Sequence, residues 1–218
     1  MSDFNGQPKI IFLDAVGTLF GVKNSVGWAY SKIANNYGVI ANSQLVDDAF
    51  YDCFKKAEPL AFHEKDEDKI KQLEYNWWKN IAFNTFSQVD LIDNFTDFDG
   101  FFEELYQYFS TDKPWYIYPD VIPSLNTWQN AGITLSIISN FDTRIYQVLD
   151  SLNLSSYFST ITISSLTGFA KPDPNIFLTA LVKHNCLPEN AWYIGDSKKE
   201  DYFGAKNVGM KSFWLSRM

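Results

Sequence analysis

Hydrophobic positions follow two regimes along this chain. Near the start, Ile10-Ile11-Phe12-Leu13 is an unbroken apolar run that ends in Asp14. Four apolar residues without alternation predict a strand buried on both faces of a parallel sheet. From about Gly21 to Asp112 no such run occurs, and apolar residues recur at helical spacing instead. That spacing predicts helices over residues 26–37, from an N-cap at Ser43 to Phe54, over 67–86 and over 98–109. Residues 87–97 are polar and acidic and read as a solvated connection.

Lys113-Pro114-Trp115-Tyr116-Ile117-Tyr118-Pro119-Asp120 is rich in turn formers and marks a boundary. Beyond it helices and apolar runs alternate. Helices are predicted over 121–131, 143–152, 173–185 and 201–208, and strands over 133–138, 160–163, 191–194 and 211–215. Strand, helix and strand in repeated order predict an α/β fold with a doubly wound, Rossmann-like parallel sheet. The opening strand belongs to that sheet. The expected organisation is therefore a core of residues 1–20 and 113–218, with a helical cap, 21–112, inserted after the first strand.

Composition narrows the partners. Hydrophobic residues at 46% and charged residues at 20% of 218 give a globular balance, not a disordered one. The Trp77-Trp78 pair resembles a stacking platform, but aromatics at helical spacing read first as core. A net charge of −8 would repel a phosphate backbone, so neither nucleic acid nor an anionic membrane is an expected partner. A small anionic substrate stays compatible if a lysine, local dipoles or a bound cation offset that field. Cys53 and Cys186 do not form a disulfide framework, which points to a reducing compartment. No apolar run approaches the roughly 20 residues that span a bilayer. The polar start, Met1 to Gln7, has no signal-peptide pattern. The expectation is a cytoplasmic protein.

Candidate chemistry lies where the predicted strands end. Asp14 is followed by Gly17, which permits a sharp turn, and by the hydroxyl of Thr18. Open α/β sheets bind ligands at the carboxyl ends of their strands, which is where Asp14 would sit. On this stretch alone, a functional carboxylate and an Asp that merely caps a turn stand level. Ser139-Asn140 and Gly195-Asp196 end two later strands, and Lys171 stands just before a proline-led helix start at Pro172-Asp173-Pro174. Facing one crevice, these groups supply a carboxylate nucleophile, a hydroxyl, an amide, an ammonium and further acids, as phosphoryl transfer requires. Two carboxylates at strand ends can share Mg²⁺, which takes few protein oxygens. Singly, Lys171 reads equally as a surface lysine, Ser139 as a helix cap and Asp196-Ser197 as a turn. Jointly, at successive strand ends, those ordinary readings lose ground.

The four stretches, in this order and spacing, resemble the haloacid-dehalogenase-like hydrolase superfamily. Its motifs appear as Asp14-Ala15-Val16-Gly17-Thr18, Ile138-Ser139-Asn140, Lys171-Pro172 and Gly195-Asp196-Ser197-Lys198-Lys199-Glu200-Asp201. The resemblance implies that Asp14 takes up a phosphoryl group, with Ser139 and Lys171 holding it and Thr18 and Asn140 beside the substrate. It implies Mg²⁺ held by Asp14, the Val16 carbonyl and Asp196, supported by Glu200 or Asp201. It also implies a small phosphorylated metabolite as substrate and a cap that closes over the crevice. In that arrangement Lys23, Asn24 and Ser25 would contact the substrate.

One position departs from the pattern. Phosphatases of this superfamily carry an acid two residues after the nucleophile, and here that residue is Val16. General acid–base help is worth about 10²–10⁴-fold, so ordinary alkyl phosphates should turn over slowly. A leaving group needing little protonation, such as that of an acyl phosphate, would suit the site. A donor elsewhere is the other route; His63 is one candidate, though its polar surroundings read as surface. The first motif also resembles that of haloacid dehalogenases. Those enzymes replace the Gly-Asp of the fourth motif and use a cap arginine, whereas Asp196 is present here and the only arginines are Arg144 and Arg217. A phosphonate-cleaving relative recruits a cap lysine, for which Lys55 or Lys56 would stand, but lysines on a polar helix face are usually solvated. A binding or regulatory protein on the same fold is the remaining alternative.

Overall fold

The computed structural model describes residues 6–217; residues 1–5, most of the polar start considered above, and Met218 lie outside the described part. By its contacts the chain divides into two compact units. One comprises Met1–Gly21, Leu60–Lys65 and Ile117–Met218, and the other Val22–Pro59 and Asp66–Tyr116. Leu60–Lys65, expected inside the helical block, groups by contact with the sheet-bearing unit. His63 in this segment packs its ring edge-on against Phe169 at 5.7 Å.

The second unit is built on four helices: α1 (Val26–Ala34), α2 (Ser43–Lys56), α3 (Glu67–Gln88) and α4 (Phe98–Tyr108). Side chains cap each start. Ser25 accepts from Trp28 N–H, Asp66 from Asp68 and Lys69, and Asp97 from Gly100. The cap of α2 is Asn42, not Ser43, because the Asn42 carboxamide oxygen already accepts from both Gln44 and Leu45 N–H. Ser43 becomes the first helical residue. The core of this unit is aromatic, with Tyr30, Phe50, Phe86, Phe101 and Phe102 buried, and Trp77 and Trp78 packed partly buried against it. Residues 87–97 differ from a purely solvated connection. Phe95 turns inward against Phe86 and Phe101, with ring centroids 4.9 and 4.7 Å away.

The first unit holds the expected parallel sheet. Its strands are β1 (Ile10–Leu13), β4 (Thr134–Ser139), β5 (Ile161–Ile163), β6 (Ala191–Gly195) and β7 (Lys211–Trp214), in spatial order β5-β4-β1-β6-β7. Two short strands, β2 (Phe20–Val22) and β3 (Trp115–Ile117), pair separately. They were not anticipated, since three residues are too few to show a period. The chain runs outward from β1 through β4 to β5, then returns to β6 on the other side of β1. That reversal makes β1 the switch point of the sheet, beside which open α/β folds bind ligands. Register completes the placement: Leu13 pairs with Ile137 on one side and Ile194 on the other. Residue 14 therefore leaves the sheet beside the ends of β4 and β6.

Helices α5 (Val121–Asn130), α6 (Ile145–Ser151), α7 (Ser164–Thr167), α8 (Pro174–Lys183) and α9 (Gly204–Asn207) complete this unit. Asp173 caps α8 by accepting from Asn175 N–H, and Pro174 opens it with a preset φ. Ile176, Phe177, Ala180 and Leu181 of α8 bury against Ile10, Phe12, Ile138 and Tyr193 of the sheet. The single helix expected over 201–208 is instead a π-helical turn, Lys198–Phe203, followed by α9.

Candidate active site

The apolar strand β1 is wholly buried, and its ladder continues one residue further through Asp14 N–H, which donates to the Ile194 carbonyl at 3.0 Å. The chain then turns sharply. The Ala15 carbonyl accepts from Thr18 at 3.2 Å and Leu19 at 2.8 Å, and Gly17 adopts φ of +85°. A Cβ on Gly17 would lie 2.4 Å from Asp196 Oδ2, so the turn demands glycine both for its backbone and for its proximity to the acid. Thr18 is buried, with its hydroxyl 3.5 Å from Asp196 Oδ1. Val16 stays 36% exposed.

Lys171 reaches into this corner from the loop before α8 and is 5% exposed. Its Nζ donates to Asp14 Oδ1 at 2.7 Å, to Asp201 Oδ1 at 2.6 Å and to Tyr193 Oη at 2.9 Å. Three acceptors use all three ammonium protons. Asn140, at the end of β4, grips the backbone of the same lysine. Its Oδ1 accepts from Lys171 N–H at 2.7 Å and its Nδ2 donates to the Lys171 carbonyl at 3.0 Å. Asn140 Nδ2 also lies 3.4 Å from Glu200 Oε2. Ser139, the last residue of β4, is buried beside them in the sequence and ends the strand next to β1.

Asp201 is buried and committed. Its Oδ1 faces Lys171 and Tyr193, and its Oδ2 accepts from Ser197 N–H at 2.8 Å. A Cβ on Gly195 would lie 2.3 Å from Asp201 Cγ, so that glycine gives the carboxylate its room. Asp196 is more open. Its carbonyl accepts from Trp214 Nε1 at 2.8 Å, and Arg217, stacked 4.1 Å over the Tyr118 ring, donates to the Thr18 carbonyl and pairs with Asp120. Thus the last residue of β7 and the stretch after it brace both acid-bearing loops.

The electrostatics follow from this crowding. Burial pushes Asp14 up to about 6; Lys171 pulls it down, and Asp201 and Asp196 push it up. Burial alone would lower Lys171, but the charges of Asp14 and Asp201 outweigh it and hold the ammonium above its ordinary pKa. Partial desolvation and then the Asp201 charge raise Asp196, although its side chain reaches solvent. Glu200 is also raised, chiefly by burial.

Asp14, Asp196 and Asp201 each offer a carboxylate oxygen within 4.8 Å of the others. Hard oxygen donors at this spacing fit a Mg²⁺-type ion. Asp201 has both oxygens engaged, which leaves Asp14 and Asp196 the freer carboxylates for a cation; Val16 lies on the turn after Asp14. Among the sequence-derived candidates, the structure gathers Asp14, Thr18, Asn140, Lys171, Asp196, Glu200 and Asp201 into one network of direct contacts and neighbouring charges. Lys55 and Lys56 lie in the last turn of α2, exposed, in the other unit. Tyr193 was missed. A tyrosine inside a buried strand must find a partner for its hydroxyl, and that requirement was the available signal. Trp214 and Arg217 left no comparable trace.

A sheet that reverses at β1, with acids and a lysine gathered at its strand ends, is the layout of a haloacid-dehalogenase-like protein. Comparison with known proteins agrees: the profile of haloacid dehalogenase-like hydrolases matches residues 8–209, so the chain belongs to this family and is a hydrolase of that class. It is 30% identical over 210 residues to haloacid dehalogenase-like hydrolase domain-containing protein 3 of Bos taurus, covering 96% of this chain and 82% of the relative. Over 101 residues, 46% of this chain and 43% of the relative, it is 34% identical to a glyceraldehyde 3-phosphate phosphatase of Methanopyrus kandleri. A HAD phosphatase structure from Thermococcus onnurineus shares the fold, with a TM-score of 0.64 and 24% identity over 96% of this chain and 86% of that one. Among the described residues, no helix is long and apolar enough to cross a membrane.

Proposed function

We propose that the protein is a Mg²⁺-dependent phosphohydrolase acting on a small phosphorylated metabolite through an aspartyl-phosphate at Asp14, with catalysis specialised by Val16. The observation that carries this reading is the buried contact of Lys171 with Asp14 at 2.7 Å, with the Asp196 carboxylate in the same acidic group. With a pKa of about 6, Asp14 is ionised at neutral pH and able to attack phosphorus. The bond from Asp14 to phosphorus forms as the bond to the leaving oxygen breaks, and that oxygen departs with the electron pair. Lys171 and Ser139 hold the phosphoryl oxygens. Water then attacks phosphorus, releasing inorganic phosphate and restoring the Asp14 carboxylate. A bound Mg²⁺ supplies positive charge against the phosphoryl oxygens. The helical unit we assign as the family's cap, and a cytoplasmic setting as its location.

Val16 offers no proton to the leaving oxygen. The preferred substrate is then one whose leaving group is stable as an anion, as in an acyl phosphate. Dehalogenation is the weaker reading, because its gripping guanidinium has no free candidate. Arg144 is locked to Asp142 by contacts of 2.9 and 2.7 Å, and Arg217 is engaged with Asp120 and Thr18. A purely binding role is also less favoured. Burying Lys171 with two carboxylates carries a desolvation cost that a site without chemistry has no reason to keep.

The test is phosphate release from acetyl phosphate and from an alkyl phosphate, with and without Mg²⁺, on wild type, Asp14→Asn and Val16→Asp. Mg²⁺-dependent cleavage of acetyl phosphate that Asp14→Asn abolishes is the expected result. Val16→Asp should then gain on the alkyl ester, with about 10²-fold as the low end of general-acid help. A wild type and a Val16→Asp variant that are both inert on both substrates would overturn the reading.

A further inference from the structure

We infer that Tyr193 is a positioning residue for this reaction, its hydroxyl fixing the direction in which the Lys171 ammonium presents a proton at Asp14. The inference deepens the proposed function and rests on the role given there to Lys171. Tyr193 sits in the middle of β6, paired in register with Phe12 of β1, and is 0% exposed. Its ring packs edge-on against Phe177 of α8 at 5.4 Å, so the hydroxyl cannot swing away. The oxygen lies 2.9 Å from Lys171 Nζ, 2.9 Å from Asp201 Oδ1 and 3.0 Å from the Ile138 carbonyl. A phenol has one proton, and either Asp201 or Ile138 takes it. In both cases an oxygen lone pair faces the ammonium, and Tyr193 accepts from Lys171.

Lysine alone is a poor aiming device, because its ammonium is a compact charge on a flexible four-carbon stem. Here two of its N–H bonds are tied to rigid partners. Asp201 is held by Ser197 N–H, and Tyr193 by the packed strand. At a tetrahedral nitrogen, two fixed directions determine the third, and the third points to Asp14 Oδ1. As charge moves from Asp14 to the transferring phosphoryl oxygens, the same proton can follow without the ammonium turning. Removing the Tyr193 oxygen leaves Asp201 as the one anchor besides Asp14 itself, and the flexible stem can then shift the ammonium.

The test uses Tyr193→Phe, which keeps the ring and deletes only the hydroxyl, with circular dichroism to verify folding. Two readouts separate aiming from simple packing. The nitrogen–proton correlation of the Lys171 ammonium, recorded without substrate and assigned by its loss in Lys171→Met, should be sharp in wild type and displaced or broadened in Tyr193→Phe. On acetyl phosphate, kcat should fall about tenfold while KM stays within about twofold, the pattern of an interaction lost in the transition state. Tyr193→His, whose ring nitrogen can accept the same proton, should regain part of the rate, and it carries the same readouts if the Phe variant does not fold. An unchanged ammonium signal in Tyr193→Phe, with kcat and KM both as in wild type, overturns the inference. If wild type releases no phosphate at all, the phosphohydrolase reading fails separately, while the ammonium signal still decides whether Tyr193 orients Lys171.

Discussion

Gly17→Ala tests whether the first loop and the fourth motif form one cation site. At φ of +85° the added Cβ meets an unfavourable backbone conformation, worth about 1–2 kcal/mol. For a chain of this size that is a fall in Tm of about 2–8 °C. Sterics act elsewhere. The Cβ would stand 2.4 Å from Asp196 Oδ2 and 2.6 Å from its Cγ, about 1 Å inside ordinary contact distance. Asp196 reaches solvent, so its side chain can move aside at little further expense to the fold. As the proposed Mg²⁺ ligand, however, Asp196 tolerates displacement of only about 0.2 Å. The variant should therefore lose affinity for Mg²⁺ by about 10–100-fold, far out of proportion to its modest loss of stability. Calorimetric titration with Mg²⁺, beside thermal unfolding in chelator, measures both. A Gly17→Ala protein that is a few degrees less stable yet binds Mg²⁺ like wild type would refute the reasoning.

Two other perturbations probe the buried network and the far end of the sheet. Lys171→Met strands Asp14 and Asp201 without their cation and should cost about 3–5 kcal/mol in urea unfolding; adding Asp201→Asn should recover part of that loss. Unchanged stability in the single variant would mean that the acids are relieved some other way. His184 sits with Nε2 2.9 Å from Ser136 Oγ and 2.8 Å from Thr160 Oγ1, and burial, then Lys183, lowers its pKa from 6.5. A lowered folded-state pKa means that the unfolded chain binds the proton first. The His184 contribution is therefore whole above the unfolded pKa and declines as pH falls from about 6.5 through the folded value. The stability difference between wild type and His184→Gln should shrink over that window, and a difference that is constant with pH would count against it.

Much of the site was legible because buried parallel strands read as apolar runs and their polar ends stand out. Asp14, Asn140 and Asp196 were visible in that way, and Lys171 by its place before Pro172-Asp173-Pro174. What each polar end does was less legible. Asn140 was expected beside substrate, yet both ends of its amide meet the Lys171 backbone, a pairing across 31 residues that no local pattern encodes. Tyr193 was harder to see for the opposite reason: the sequence shows only that a tyrosine in a buried strand needs a partner for its hydroxyl, and three-dimensional packing reveals that Lys171 is one. β2 and β3 escaped because three residues with a central Gly21 or Tyr116 show no alternation. The cap of α2 was misplaced by one residue because Asn42 and Ser43 both qualify, and only geometry shows which side chain reaches two N–H groups.

The most direct test of the account is an acid-quenched single turnover with acetyl phosphate and Mg²⁺, followed by mass spectrometry of the proteolytic peptides. The expected result is a transient phosphoryl adduct on the peptide containing Asp14, localised to that residue and absent in Asp14→Asn. Phosphate release without any such adduct, at a rate that Asp14→Asn leaves unchanged, would contradict it.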